Sequence, residues 1–303
     1  MSDTRALKVR AFKALRAAAG RAGLQVVPKN YYSPIPDLDA LSPAVFDRRS
    51  DLRGIHFDLD EQLAWIEENL AAAMREFSAP ADAVDNASYG RVGADLLHGV
   101  VRGLKPRRIV ELGSGHSTLF MAAAAERNRA DGVDTELRTF DPFPTVAQPG
   151  LPGLASLEPV RAQDVPLEVF TGLAAGDVLF VDTTHTVKVD SDVNRIVLDV
   201  FPALAPGVLV HVHDIFLPYE YPRHWHEDSG FHWAEQYLLQ AYLAGNPGVQ
   251  VLAATYALCR ERPDAMARLA PTWQPGAEAS AFWFRTRPDG PAAAPGAPPP
   301  SRG

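Results

Sequence analysis

The spacing of apolar residues along the chain changes character near residue 105. Before it, apolar positions recur every three or four residues or are interrupted by proline. Leu7, Ala11, Leu15 and Ala18 predict a helix within residues 1–22, packed through that stripe. Pro28, Pro34, Pro36 and Pro43 mark residues 28–50 as loop. Leu59, Leu63, Ile66, Leu70 and Met74 predict a helix over 59–77, and a second is expected over 89–103 despite its glycines.

After residue 105, short apolar runs alternate with helical stretches. Strands are expected at 109–115, 137–144, 156–163, 177–182 and 207–216, with helices at 117–128, 189–204 and 231–245. Two last strands are expected at 249–258 and 280–287, joined by a loop as an antiparallel hairpin. Strands that are apolar on both faces and alternate with helices imply a parallel sheet covered on both sides. The expected fold is α/β: a doubly wound, seven-stranded, mostly parallel sheet with an antiparallel edge hairpin and an N-terminal helical extension. Residues 1–85 form the extension, 86–287 the main domain, and 288–303 a flexible tail holding six of the 26 prolines.

Composition narrows the function classes. The 303 residues are 47% hydrophobic and 22% charged, ordinary values for a globular chain. One cysteine, Cys259, excludes a disulfide framework and a cysteine-rich metal site. A net charge of −8 argues against general nucleic-acid binding. No apolar run approaches a membrane span, and the start lacks a secretory apolar region, so a cytoplasmic protein is expected. Residues 1–22 are locally basic, with Arg5, Lys8, Arg10, Lys13, Arg16 and Arg21 against Asp3. That face is read as solvated, or as a contact in a homo-oligomer.

The strand ends carry the chemistry. In an open α/β sheet, ligands bind beyond the carboxyl ends of the strands. Those ends hold Glu111, Asp141, Asp164, Asp182 and Asp214 in turn. Such an edge suits hydroxyls, an amine or a cation. Gly113 and Gly115 follow the first strand, where glycine permits a tight turn and close approach to a ligand. Thr118 stands where the dinucleotide fingerprint needs a third glycine, which weakens a dehydrogenase reading. GSGHS is not a GxSxG nucleophile elbow, and no phosphate-binding GxxxxGK[ST] is present.

Three motifs in order, ELGSGHST (111–118), VDTTH (181–185) and HVHDIFLPYEYP (211–222), resemble those of class I S-adenosylmethionine (SAM)-dependent methyltransferases, in particular a bacterial group acting on small molecules. The resemblance spans about residues 86–287 and implies a Rossmann-like sheet with SAM as cofactor. It further implies that Glu111, Gly113, Ser114 and Gly115 hold the methionine part of SAM and that Asp141 accepts from the ribose hydroxyls. Gln163 and Asp164 would lie near the adenine, Asp182 and Thr183 near the reactive methyl. Tyr89, with Asn86 and Gly90, would belong to a lid.

Six of the nine histidines fall within 185–232. Strand alternation puts His211 and His213 on one face and Asp214 on the other, with His211 deeper and read as a hydrogen-bonded core residue. Two catalytic arrangements stay open. A divalent cation on Asp182 and Asp214 with His213 or His185, Mg²⁺ with carboxylates and water or Mn²⁺, Fe²⁺ or Zn²⁺ with an added imidazole, lowers the pKa of a substrate oxygen. Otherwise His185 or His213 is the general base, with Asp182 beside it. The expected reaction is methyl transfer to a small-molecule hydroxyl. The alternatives are a non-methylating use of SAM, such as cyclisation or aminocarboxypropyl transfer, and a non-catalytic scaffold.

Overall fold

The computed structural model describes residues 2–78, 81–86 and 88–287; the proline-rich tail lies outside them. The chain forms two compact units, residues 1–45 with 224–232, and residues 46–223 with 233–303. In the smaller unit, helix α1 (Ser2–Arg21) occupies the expected place. Its stripe is not packed as the pattern predicted, since Leu7 and Leu15 are 68% and 54% exposed.

The larger unit is built on seven strands: β1 (Arg108–Leu112), β2 (Glu136–Phe140), β3 (Ser156–Glu158), β4 (Val178–Val181), β5 (Leu209–Val212), β6 (Val249–Ala254) and β7 (Phe282–Thr286). Their order is β3-β2-β1-β4-β5-β7-β6. The first five pair in parallel, while β7 runs antiparallel between β5 and β6. This is the Rossmann-like doubly wound sheet with an antiparallel edge hairpin. β4 and β5 are buried at every position, as a sheet covered on both faces requires.

The helices of this unit begin with α2 (Leu59–Asn69), α3 (Arg91–Gly99) and α4 (His116–Ala130). Asp58 caps α2 by accepting from the backbone N–H groups of Asp60 and Glu61 at 2.8 and 3.0 Å. Gln62 Oε1 then accepts from the Ala254 N–H at 2.9 Å, tying α2 to β6. α5 (Asp192–Arg195) continues through a π-helical turn, Ile196–Val200. α6 (Glu235–Leu243) is shorter than its apolar run.

Two expectations need correction. The strand expected over 249–258 stops at Ala254, and α7 (Thr255–Glu261) and α8 (Pro263–Leu269) replace the expected hairpin loop. A short apolar run does not distinguish a buried strand from a buried helix, and Ala257, Leu258 and Met266 are fully buried helical residues. The third strand covers three residues only; Ala162–Asp164 forms a 3₁₀ turn.

Register aligns the strand ends. Thr139, Glu111, Phe180, His211 and Trp283 pair across five neighbouring strands. The ladder continues past the strands: Asp182 N–H donates to Leu112 O and His213 N–H to Val181 O, both at 2.9 Å. Asp141, Gly113, Asp182 and His213 therefore stand side by side, two residues beyond that row.

Candidate active site

Glu111 sits beneath the edge rather than on it. It is fully buried, and its carboxylate accepts from Ser117 Oγ at 2.8 Å, from Thr118 Oγ1 at 2.9 and 3.0 Å, and from Thr139 Oγ1 at 2.6 Å. Burial pushes its pKa up to about 8, against the lowering effect of those three hydroxyls. Thr118 Oγ1 also accepts from the Gly115 N–H at 3.0 Å, closing the start of α4. The turn between β1 and α4 is thus pinned from below by one carboxylate and three hydroxyls.

The turn itself depends on Gly113. Its φ is +86°, and a Cβ there would run into the Asp182 carbonyl oxygen of the neighbouring strand. Only a residue without a side chain lets β1 and β4 approach so closely at their ends. Ser114 then donates to Asp141 Oδ2 through both its N–H (2.9 Å) and its Oγ (2.5 Å). Phe143 N–H donates to Asp141 Oδ1 at 2.7 Å. A Cβ on Gly115 would meet nothing within 4 Å, so the turn is open on that side.

Beyond β4, the side chain of Asp192 holds the loop by accepting from Thr184 N–H at 2.9 Å and Thr184 Oγ1 at 2.6 Å. Thr183 Oγ1 is buried with no hydrogen-bond partner. The loop delivers His185 back toward the edge. His185 Nε2 lies 3.3 Å from Asp182 Oδ1 and 3.5 Å from Asp214 Oδ2. These three residues can each turn one ligand atom into a group within 4.8 Å. His185 Nδ1 lies 2.7 Å from Glu235 Oε2, and the Trp233 ring packs on the imidazole with centroids 4.3 Å apart. Both His185 and Asp214 have φ near +55°, a left-handed backbone that residues with a Cβ seldom adopt. Such strain concentrates at functional sites.

The charges in this cluster are mutually dependent. Burial disfavours the His185 cation, but hydrogen bonds to Asp182 and Glu235 outweigh it and hold the imidazole well above its ordinary value. Burial likewise raises the Asp182 carboxyl. The charge of His213 and the His185 hydrogen bond overcome that, and the carboxyl falls below its ordinary value. Glu235 is raised by its burial.

His213 meets the trio at Asp214. Its Nε2 lies 3.1 Å from the Ser88 carbonyl oxygen and 3.4 Å from Asp214 Oδ1. The His213 ring packs on Tyr89 with centroids 4.6 Å apart, and its Nδ1 is buried without a partner. The sequence left either histidine open as the partner of the two aspartates; the structure sets His185 against both Asp182 and Asp214, and His213 against Asp214 Oδ1. Tyr89 lies inside rather than over the edge. It is a core aromatic, 1% exposed, packed against Phe120, Phe180 and His211. His211 is stacked on Phe180 at 4.1 Å and packed on Trp283 at 4.7 Å, in the core as alternation predicted, but both its ring nitrogens are buried without a hydrogen-bond partner, so it is not the hydrogen-bonded core histidine expected. At the rim, Asp164 pairs with Arg161 at 2.6 Å, and Gln163 Nε2 donates to the Asp190 carbonyl oxygen at 3.1 Å.

Three participants escape sequence reading. Glu235 looks like an ordinary acid in the first turn of a helix, and nothing in the sequence links it to His185. Ser280 Oγ donates to Asp214 Oδ1 at 2.8 Å from across the sheet, again without a sequence signal. Ser117 was within reach, as it directly follows the glycine turn.

Several comparisons bear on this site. A family model described as a methyltransferase domain matches residues 110–215. That stretch runs from β1 to the residue after Asp214. No curated protein matches the chain. Similar solved structures include cmcI-N160 with SAH, 16% identical, covering 64% of this chain and 76% of that one with a TM-score of 0.37. The calicheamicin methyltransferase CalS11 is 13% identical, covering 78% and 97% with a TM-score of 0.38. Phosphoethanolamine N-methyltransferase 2 of Haemonchus contortus, in complex with S-adenosyl-L-methionine, is 12% identical, covering 75% and 60% with a TM-score of 0.36. Likeness this distant carries no argument about what the chain binds. Among the described residues, no helix is long and apolar enough to cross a membrane.

Proposed function

We propose that this chain is a SAM-dependent methyltransferase that methylates a hydroxyl of a small-molecule acceptor. The observation that carries the reading is the turn after β1. Gly113 passes under Asp182, Ser114 fixes Asp141, and the whole lies within the segment that matches a methyltransferase domain. The residues present fit SAM. Gly115 leaves the turn open, Thr183 Oγ1 is buried and unpartnered beside it, and Asp141 offers a carboxylate held in place for a ribose diol. Ser114, Gly115 and the first turn of α4 would hold the methionine part, with Gln163 and Asp164 at the adenine rim.

SAM supplies an electrophilic methyl on a sulfonium, and the protein's task is alignment of an unprotonated oxygen with it. The acidic trio supports a divalent cation held by Asp182, Asp214 and His185, which when bound would acidify that oxygen. Where no cation is bound, His185 or His213 would serve as the general base, with Asp182 beside it.

Calorimetric titration of SAM into the purified protein, with EDTA and then with added Mg²⁺, tests the reading. Saturable binding is expected, and Asp141→Ala is expected to weaken it about 10- to 100-fold through loss of charge-assisted hydrogen bonds. An absence of binding under both conditions removes the reading. Turnover releasing methylthioadenosine, not S-adenosylhomocysteine, would replace methyl transfer with another use of SAM.

A further inference from the structure

Taking Asp182, His185 and Asp214 as the cation site of the preceding reading, we infer that Glu235 is a positioning residue that presents His185 as a nitrogen ligand. The site consequently selects a divalent transition cation such as Mn²⁺ over Mg²⁺.

The geometry is that of a carboxylate–imidazole–cation relay. Glu235 is 1% exposed, and its Oε2 is 2.7 Å from His185 Nδ1. An imidazole that donates through Nδ1 has its lone pair on Nε2. That nitrogen is the one aimed between Asp182 Oδ1 and Asp214 Oδ2. The backbone repeats the connection. The His185 carbonyl accepts from the N–H groups of Ala234 and Glu235 at 3.1 and 3.3 Å. One segment at the start of α6 therefore fixes both the ring and the left-handed main chain of His185, and Trp233 closes over the ring face.

Asp214 is fixed in the same manner from another segment. Ser280 Oγ occupies Asp214 Oδ1, and the Ile215 N–H donates to the Ser280 carbonyl at 3.0 Å. Asp214 Oδ2 is thereby left facing His185. Neither Glu235 nor Ser280 joins the trio, yet they set where two of its three members point. The remaining Glu235 oxygen, Oε1, is buried without a hydrogen-bond partner. A buried carboxylate kept at that cost marks a role beyond packing.

The donor set decides the cation. Carboxylates and water alone suit Mg²⁺, which demands oxygen ligands. An imidazole made more basic by a carboxylate on its far nitrogen favours Mn²⁺, Fe²⁺ or Zn²⁺.

The test uses the full chain, stripped with EDTA, and reads cation binding directly. MnCl₂ is titrated by electron paramagnetic resonance and then competed with MgCl₂, in the wild type, Glu235→Gln and His185→Asn. SAM affinity is measured alongside as the check on folding. Wild type is expected to prefer Mn²⁺ by about tenfold or more. Pulsed spectra of its bound Mn²⁺ should show coupling to an imidazole nitrogen. Glu235→Gln should weaken Mn²⁺ binding about 10- to 100-fold while SAM affinity is kept. His185→Asn tolerates the left-handed backbone and substitutes an oxygen donor, so its Mn²⁺ preference should fall toward none. Unchanged Mn²⁺ affinity in Glu235→Gln overturns the positioning role. Equal affinity for the two cations, or bound Mn²⁺ without nitrogen coupling, in the wild type overturns the selectivity. A wild type that binds SAM but neither cation brings down the cation site itself, and the inference with it.

Discussion

Glu111 carries a pH consequence that a single substitution can isolate. Its folded-state pKa of about 8 stands above the ordinary 4.5 because burial disfavours the carboxylate. Between those values the folded chain binds a proton that the unfolded chain releases. This contribution to stability is complete below the ordinary carboxylate value and is lost as pH rises through about 8. Glu111→Gln keeps a side chain of the same shape that cannot ionise. Urea unfolding of that variant should show a flatter stability profile from about pH 5 to 8 than the wild type; equal slopes would falsify the assignment. The sequence marked Glu111 as a cofactor contact because it precedes a glycine turn. What it could not show is that Ser117, Thr118 and Thr139 enclose the carboxylate, since Thr139 arrives from the adjacent strand, 28 residues away.

At the scale of elements, local signals were legible where chain periodicity and capping agree. The helix read from Leu59, Leu63 and Ile66 forms, and Asp58 begins it with two backbone hydrogen bonds. Asp58→Ala should destabilise the fold by removing both backbone hydrogen bonds of the cap. A lowered urea midpoint at constant m-value would measure it, and an unchanged midpoint would show that tertiary contacts, such as Gln62 to Ala254, hold α2 without its cap. Signals failed where burial erased periodicity. The run from Val249 to Leu258 is apolar but for Gln250 and Thr255, and its change from strand to helix at Thr255 is set by tertiary hydrogen bonds. The Thr255 N–H donates to the Ala281 carbonyl at 3.0 Å, which belongs to a segment 26 residues later.

For the whole molecule, a cofactor that binds only the folded chain raises its stability by mass action. SAM at a hundred times its dissociation constant should add about 2.7 kcal/mol, a rise in melting temperature of about 4 °C for a chain of this size. Thermal scans with and without SAM check this, and Asp141→Ala should lose most of the rise at the same SAM concentration. An unchanged wild-type melting point would mean that SAM does not engage the folded state. The sequence alone determined the alternation of strands and helices, the parallel sheet with its antiparallel edge, and the acids at the strand ends, because each follows from local periodicity and from where strands stop. It placed Asp182 and Asp214 at neighbouring ends and left His185 and His213 open as their partner, while the family resemblance put Tyr89 in a lid. Only the tertiary structure decided that His185 faces the two aspartates and that Tyr89 lies in the core. The reason is physical: His185 depends on a left-handed turn and on Glu235, fifty residues away, and Tyr89 on rings from other strands and helices. Contacts of that range leave no trace in the spacing of residues along the chain.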